Sequence, residues 1–420
     1  MGSRAGAVGC TIAQRARLHS PSAGLGRTGP RTRYQKGSAA QGNGRVVTRL
    51  PLSQKVHESK VCFGSSERTR PFPRERQRSG APRCSDRNNA AVIRHGETQW
   101  ITGAAMKILV MGAGAIGAFF GARLKRAGED VYFCARGENL RTLQTEGLSV
   151  KSPGDDFTVR GPATEDPKEY APYDLVLLCV KSYDTIPAAT QLVGCLNPGG
   201  AVMTLQNGVE NEKVLREIFP AESVMAGNAR ISAQLVAPGR LEHFATGTIE
   251  FGELDGRETP RAMAIADVFR GAGILGKLAD DIVTIRWHKL MGNNGTNTVC
   301  TLTRCAIGQV LKDPEGFALV RRLMIEAVTV ARVEGARLDV ESADRFLTYL
   351  RNVPTINTVR PSTLQDFERG KRLEYDAITG AVIRAGDRHG IDVPTTRTLH
   401  ALLKLLDDTA TVVRSKASVA

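Results

Sequence analysis

An α/β domain followed by an all-helical one is the fold class this sequence predicts, and three observations predict it. Residues 106–136 run strand, glycine turn, helix, strand. Two further buried runs, at 173–182 and 199–209, each end in polar residues. From about residue 278 the apolar positions switch to helical spacing. The 420 residues suffice for two or three domains and a sizeable core.

The first of these stretches is "MKILVMGAGAIGAFFGARLKRAGEDVYFCAR". "KILVM" reads as a short buried strand, a helix continues through Arg126, and "DVYFCAR" supplies a second strand. Between strand and helix, Gly112, Ala113, Gly114, Ala115, Ile116 and Gly117 spell GxGxxG. Alone that pattern is weak, but at the turn of a βαβ unit it is the fingerprint of dinucleotide binding. The first glycine permits the tight turn, the second lets a pyrophosphate approach the backbone, and the third lets helix and strand pack closely. The anion then lies over the helix N-terminus. Residues 106–277 are therefore expected to form a Rossmann-type domain.

The end of the second strand reads out the cofactor. An NAD site wants Asp or Glu there for the ribose hydroxyls; this chain has Ala135, Arg136 and Gly137. An arginine pairs with a 2'-phosphate that a carboxylate would repel, which favours NADP(H). Glu138 nearby, and the alternative of Arg136 as a plain surface arginine, stand against it.

"YDLVLLCVKS" and "GGAVMTLQNGV" are the next strands, ending at Lys181–Ser182 and at Asn207. The polar ends lie where an open α/β sheet presents its ligand crevice. Asn207, in "QNG", is either a turn residue or a contact to nicotinamide or substrate. Residues 223–253 alternate in places and are expected to add β structure that completes the domain, with His243 structural.

The helical half spans 278–410, with 411–420 as a loose tail. In "PEGFALVRRLMIEAVTVARVEG", Phe317, Val320, Leu323, Met324, Ala327, Val328 and Ala331 recur at helical spacing. "SADRFLTYLRN" is a shorter helix, "STLQDFERGKRLEYDAITGAVIRAGDRHG" a long one, and "TTRTLHALLKLLDD" closes the fold. In "RWHKLMGNNGTNTVC", Lys289, Asn293 and Asn297 fall at i, i+4 and i+8, on one helix face. Ser362 with Gln365 has the spacing of a capping box. Glu374 points to the packed side of its helix and needs a partner, either Lys289 or a substrate hydroxyl.

The net charge of +14 suggests nucleic acid until it is located. Residues 1–105 hold nineteen Arg and Lys against five acids; the remainder holds thirty-eight of each. The folded part thus offers no basic footprint. The leader, with no acid before Glu58 and rich in Gly, Ser, Arg and Pro, buries too little to order itself. It reads as a disordered extension or an upstream start before Met106, as an organellar transit peptide, or as a basic tail. The eight cysteines form no CxxC pair, no His, Cys and acid cluster has metal-ligand spacing, and no apolar run reaches membrane length. A reduced, cytoplasmic compartment is expected.

Residues 106 to about 405 resemble the 2-dehydropantoate 2-reductase, or ketopantoate reductase, family. GxGxxG, "VKS", "QNG", "WHKLMGNNGTN" and "STLQDFERGKRLEYD" occur in that family's order and near its spacing. The resemblance implies reduction of 2-dehydropantoate to (R)-pantoate with NADPH, on the route to coenzyme A. It puts the catalytic lysine at Lys289 and the substrate acid at Glu374. The family's asparagines fall on Asn207, Asn293 and Asn297 and its serine on Ser362, and its 2'-phosphate and cofactor contacts fall on Arg136 and Lys181. Leu373 and Tyr375 replace the Thr and Ile common beside the acid, Pro361 replaces a small polar residue, and the leader has no counterpart. Two other classes remain: an NADP-dependent oxidoreductase of another 2-keto or hydroxy acid, and a non-catalytic NADPH-binding protein. A monomer and a homodimer are equally compatible with the sequence.

Overall fold

The structure, a computed structural model, describes residues 105–417. The readings of the basic leader fall outside these residues. The sheet domain begins with β1 (Lys107–Met111), α1 (Ala115–Arg126), β2 (Asp130–Cys134) and α2 (Gly137–Thr145). Three short strands follow, β3 (Leu148–Lys151), β4 (Phe157–Val159) and β5 (Ala163–Thr164), then β6 (Tyr173–Leu178) and α3 (Thr185–Gln191). The domain closes with β7 (Leu196–Thr204), α4 (Asn211–Arg216), β8 (Val224–Ala237), β9 (Arg240–Glu253), α5 (Pro260–Gly271) and β10 (Leu275–Leu278).

All ten strands form one sheet in the order β4-β3-β9-β8-β7-β6-β1-β2-β5, with β10 also on β9. From β2 through β1, β6 and β7 to β8 the pairing is parallel, whereas β8 and β9 form a long antiparallel hairpin. The far edge of β9 is shared. Arg240–Glu242 pair with β3, and Thr248–Phe251 pair with β10. The parallel strands are covered on both faces, which is why β1 and β6 are apolar without alternation; Ile108, Leu109, Val110 and Leu175 to Leu178 have no exposed surface. Chain order reverses between β1 and β6, so a crevice opens beyond Met111 and Leu178. Phe119, Phe120 and Leu124 seat α1 on the sheet, and full burial of Phe120 alone contributes about 3 kcal/mol.

The second domain comprises α6 (Ile282–Thr303), α7 (Ile307–Lys312), α8 (Pro314–Val333), α9 (Val340–Arg351), α10 (Ser362–Glu368), α11 (Ala381–His389) and α12 (Pro394–Ala417). Asp281 caps α6 by accepting from Thr284 N at 3.0 Å, and Asp313 caps α8 by accepting from Gly316 N at 2.6 Å. The predicted apolar face of α8, from Val320 to Ala331, is fully buried against α6.

Three local expectations give way. The long helix expected over 362–390 is two helices. Gly370, at φ +64°, and the bond from Lys371 N to Asp366 O (2.8 Å) end α10. Glu374 then lies just before a five-residue π-helical turn, Asp376–Gly380, that leads into α11. Ser362 is not a cap: Pro361 occupies the N-cap of α10, and Gln365 Nε2 donates to Arg360 O. The final helix does not end near 410 but runs to Ala417. Among the described residues Cys134, Cys179, Cys195, Cys300 and Cys305 are free, and no helix is long and apolar enough to cross a membrane.

Candidate active site

The glycine loop closes β1 and opens α1. Gly112 N and Ala113 N both donate to Cys134 O at 3.1 Å, fastening the loop to the end of β2. Gly112 takes φ +101°, and a Cβ there would stand 2.9 Å from Val180 N, so only glycine turns here. At Gly117 a Cβ would collide with the Gly112 carbonyl and lie 2.7 Å from Val110 Cγ1, which is how closely α1 packs on β1. Gly114 is different: a Cβ would meet nothing within 4 Å, so its side faces open space. Gly114 is also the N-cap of α1, it gives no side-chain cap, and the first turn holds no acid. The N–H groups of Ala115, Ile116 and Gly117 therefore lack helical partners, at the positive end of the helix dipole. This cradle fits a dinucleotide pyrophosphate.

A cleft of about 1400 Å³ runs from this loop to the helical domain. Arg136, the N-cap of α2, lines it with an exposed side chain 3.9 Å from Glu165. Lys289, Asn293 and Asn297 line it from α6, Asn207 from the turn after β7, and Ser362 and Glu374 from the segments around α10.

Lys289 Nζ donates to Ala229 O on β8 at 2.8 Å. Burial, reinforced by the charges of Arg286 and Arg230, pulls its pKa from 10.5 down to about 8. One turn on, Asn293 faces the same cleft. Asn297 Nδ2 donates to Thr363 Oγ1 at 3.1 Å and to Ser362 Oγ at 3.4 Å, so α6 fixes the start of α10. Arg286, on the same helix, donates to Gly208 O at 2.5 Å and makes a buried ion pair with Glu212, which ties α6 to the Asn207 turn.

Glu374 does not pair with Lys289. Its Oε2 lies 2.8 Å from Lys181 Nζ, and its Oε1 accepts from Ser182 N at 2.9 Å. Lys181 Nζ also donates to Asp366 Oδ2 at 2.6 Å. Burial alone would raise the Glu374 pKa and lower that of Lys181. The mutual charges outweigh it, holding the carboxyl below its ordinary range and the ammonium above its own. Lys181 and Glu374 are 193 residues apart, and no local pattern pairs them.

Residues 108–256 match the family described as Ketopantoate reductase PanE/ApbA, and residues 281–407 match Ketopantoate reductase PanE/ApbA C terminal. The 2-dehydropantoate 2-reductase of Archaeoglobus fulgidus is 33% identical over 298 residues, spanning 71% of this chain and 97% of that protein. The chain belongs to the ketopantoate reductase family. A PanE/ApbA family ketopantoate reductase from Ralstonia eutropha superposes with a TM-score of 0.67 at 33% identity, covering 73% of this chain and all of the other. A ternary structure of D-mandelate dehydrogenase with NADH and anilino(oxo)acetate superposes with a TM-score of 0.68 at 25% identity, over 73% of this chain and 100% of that one. As a ketopantoate reductase family member, this is an NAD(P)-dependent oxidoreductase with an N-terminal sheet domain and a helical C-terminal region.

Three parts of this ketopantoate reductase site escape sequence reasoning. Asp366 lies within the quoted "STLQDFERG", yet nothing local marks it as the second carboxylate on Lys181. Asn139 holds the glycine loop, donating to Ala113 O at 3.0 Å while its Oδ1 accepts from Gly239 N at 2.8 Å. The Ala229 carbonyl that seats Lys289 is main chain and invisible in any motif.

Proposed function

We propose that this chain reduces 2-dehydropantoate to (R)-pantoate with NADPH. The observation that carries the reading is the cleft itself: Lys289 of the helical domain and the open glycine loop of the sheet domain line one and the same cavity. A bound reduced nicotinamide supplies hydride to the 2-keto carbon. As negative charge develops on the carbonyl oxygen, the Lys289 ammonium stabilises it and passes on its proton. The Ala229 carbonyl holds Nζ in place for that transfer. Asn293 orients the keto acid, Asn297 fixes Ser362 where it meets the substrate carboxylate, and Asn207 lies toward the nicotinamide side. Glu374, kept ionised by Lys181, accepts from the distal hydroxyl.

Arg136 supports NADPH over NADH. It stands just past the end of β2 with an exposed side chain lining the cleft, and β2 itself ends in no acid for the ribose hydroxyls, although Glu165 at 3.9 Å and Glu138 stand close by.

The test is cofactor oxidation by the full chain with 2-dehydropantoate, followed by the loss of the reduced nicotinamide's absorbance, beside Lys289→Ala. Turnover with NADPH that Lys289→Ala abolishes while cofactor still binds is the expected result. Tight cofactor binding without turnover would overturn the reading in favour of a binding protein.

A further inference from the structure

We propose that a small recess beside Lys289 holds one ordered water, hydrogen-bonded between Lys289 Nζ and Asn228 Oδ1, and that Asn228 thereby positions the proton donor. The inference rests on the donor role proposed for Lys289 and adds a residue and a binding site to it.

The first observation concerns Asn228. Strand β8 begins as the apolar run Val224–Gly227 and then places an asparagine at 2% exposure. A buried amide needs partners at both of its ends. Asn228 stands opposite Glu250 on β9, and its Nδ2 donates to Glu250 Oε2 at 2.8 Å. An ionised carboxylate only accepts, so this bond fixes which end of the amide is the nitrogen. Oδ1 is then the free end, with no protein donor in reach.

The second observation is the recess itself. It measures about 10 Å³, the room of a single water, and its walls include Asn228, Gln206, Asn207, Arg286, Lys289 and Asn293. Asn207, Lys289 and Asn293 also line the main cleft, so the recess adjoins the reacting side. Two of its polar side chains are already engaged. Gln206 Nε2 donates to Val180 O at 3.0 Å and to Thr185 Oγ1 at 2.8 Å, and its Oε1 accepts from Thr204 Oγ1 at 3.1 Å. Arg286 is held by Gly208 O and Glu212. Asn207 and Asn293 serve the reactants in the proposed function. One acceptor remains, Asn228 Oδ1, and one donor, the N–H groups of Lys289 beyond the one given to Ala229 O. A donor and an acceptor that do not meet, on the walls of a water-sized recess, are what a bridging water joins. No larger group of substrate or cofactor fits there.

An ammonium carries three N–H groups. With one held by the Ala229 carbonyl and one by the water, the third is aimed, and it is the one left for the keto oxygen. After the transfer Lys289 is an amine with a lone pair. The same water then donates to that lone pair while its other hydrogen stays on Asn228, so the side chain is held in both states.

The direct test is a crystal structure of the full chain at a resolution that shows ordered water. The expected result is one water within about 3.2 Å of both Asn228 Oδ1 and Lys289 Nζ. A dry recess, or Asn228 bonded directly to a side chain of α6, would overturn the proposal. Two variants then test its role in 2-dehydropantoate reduction. Asn228→Leu removes the acceptor and fills the recess, whereas Asn228→Ser keeps an oxygen and leaves room for water. Asn228→Leu should lower kcat about tenfold or more with KM for the cofactor nearly unchanged. It should also move the alkaline decline of the rate to lower pH, because the ammonium loses a hydrogen-bond partner that favours its charged form. The charges around Lys289, Arg286 on α6, Arg230 on β8, Glu250 on β9 and Glu374 before α11, are the same in both variants. Asn228→Ser should recover most of kcat and the native pH limb. Equal losses in the two variants would assign the effect to Glu250, which loses its Asn228 partner in both, and would remove the water. If the native chain binds cofactor but turns nothing over, the reductase reading falls, and the crystallographic water alone decides the site.

Discussion

Lys181 Nζ stands 2.8 Å from Glu374 Oε2 and 2.6 Å from Asp366 Oδ2, so one cation of the sheet domain bridges two carboxylates of the helical domain. Both acids are nearly sealed, whereas the lysine is 37% exposed. Lys181→Met leaves the two carboxylates facing each other. After allowance for the solvent at Lys181, the expected destabilisation is about 1–3 kcal/mol. The sign of its pH dependence follows from Glu374, whose carboxyl is held below its usual 4.5 in the native chain. That stabilisation is present above the unfolded value and is lost as pH falls through the folded one. Without Lys181 a carboxylate protonates at higher pH, so the gap between variant and native chain is widest near pH 7 and narrows below about pH 5. Urea denaturation at both pH values reads this directly; an unchanged gap would show that charge is not what holds the domains here.

On the proposed mechanism Lys289 must be cationic to protonate the reduced substrate, and its pKa is pulled down to about 8. Reduction should therefore be flat through neutral pH and decline as pH rises past that value. Lys289→Gln should lower kcat by about 10²–10⁴-fold with cofactor affinity nearly unchanged. A pH–rate profile that stays level up to the ordinary lysine value of 10.5 would show that the Lys289 pKa is not lowered in the working site, and a Lys289→Gln variant with unchanged kcat would remove it as the donor.

Two glycines three residues apart should fail in different ways. Gly117→Ala drives a methyl into the Gly112 carbonyl and the Val110 side chain. Its expected cost is about 1–3 kcal/mol of stability, seen as a lower Tm. Gly114→Ala meets no protein atom within 4 Å, so its Tm should stay close to native. It fills the anion cradle instead, and its cofactor Kd should rise about tenfold or more. Equal loss of stability in both variants would contradict this division.

Cofactor choice is tested at Arg136. Arg136→Ala should raise KM for NADPH by about 10–100-fold, the value of one or two charge-assisted hydrogen bonds to a phosphate, and leave NADH nearly unchanged. If both cofactors respond equally, Arg136 does not read the 2'-phosphate.

Much of this arrangement is legible in the sequence where the signal is local. The GxGxxG turn declares its helix and both strands because Gly112 must take a positive φ and Gly117 must pack against the Gly112 carbonyl and Val110, only a few residues away. The i, i+4, i+8 spacing likewise brings Lys289, Asn293 and Asn297 into one cleft. What is not legible depends on distance along the chain or on backbone geometry. Glu374 reads equally well as a partner of Lys289, and only the fold brings Lys181 to it. The break after α10 is hidden because "ERGKR" carries strong helix formers, and Gly370 decides the matter by taking positive φ. Ser362 has capping-box spacing, but Pro361 already occupies the cap, which frees the hydroxyl for Asn297.

The bond from Lys289 to the Ala229 carbonyl has an evolutionary reading. Every amino acid brings the same carbonyl, so no substitution at 229 that keeps the strand can delete the acceptor that seats Lys289. The side chains around the cleft, Ile307, Phe346 and Val359 among them, carry no share of that task. Those side chains pack in or against the core of the helical domain, so a change of shape there is felt by the fold as well as by the cleft.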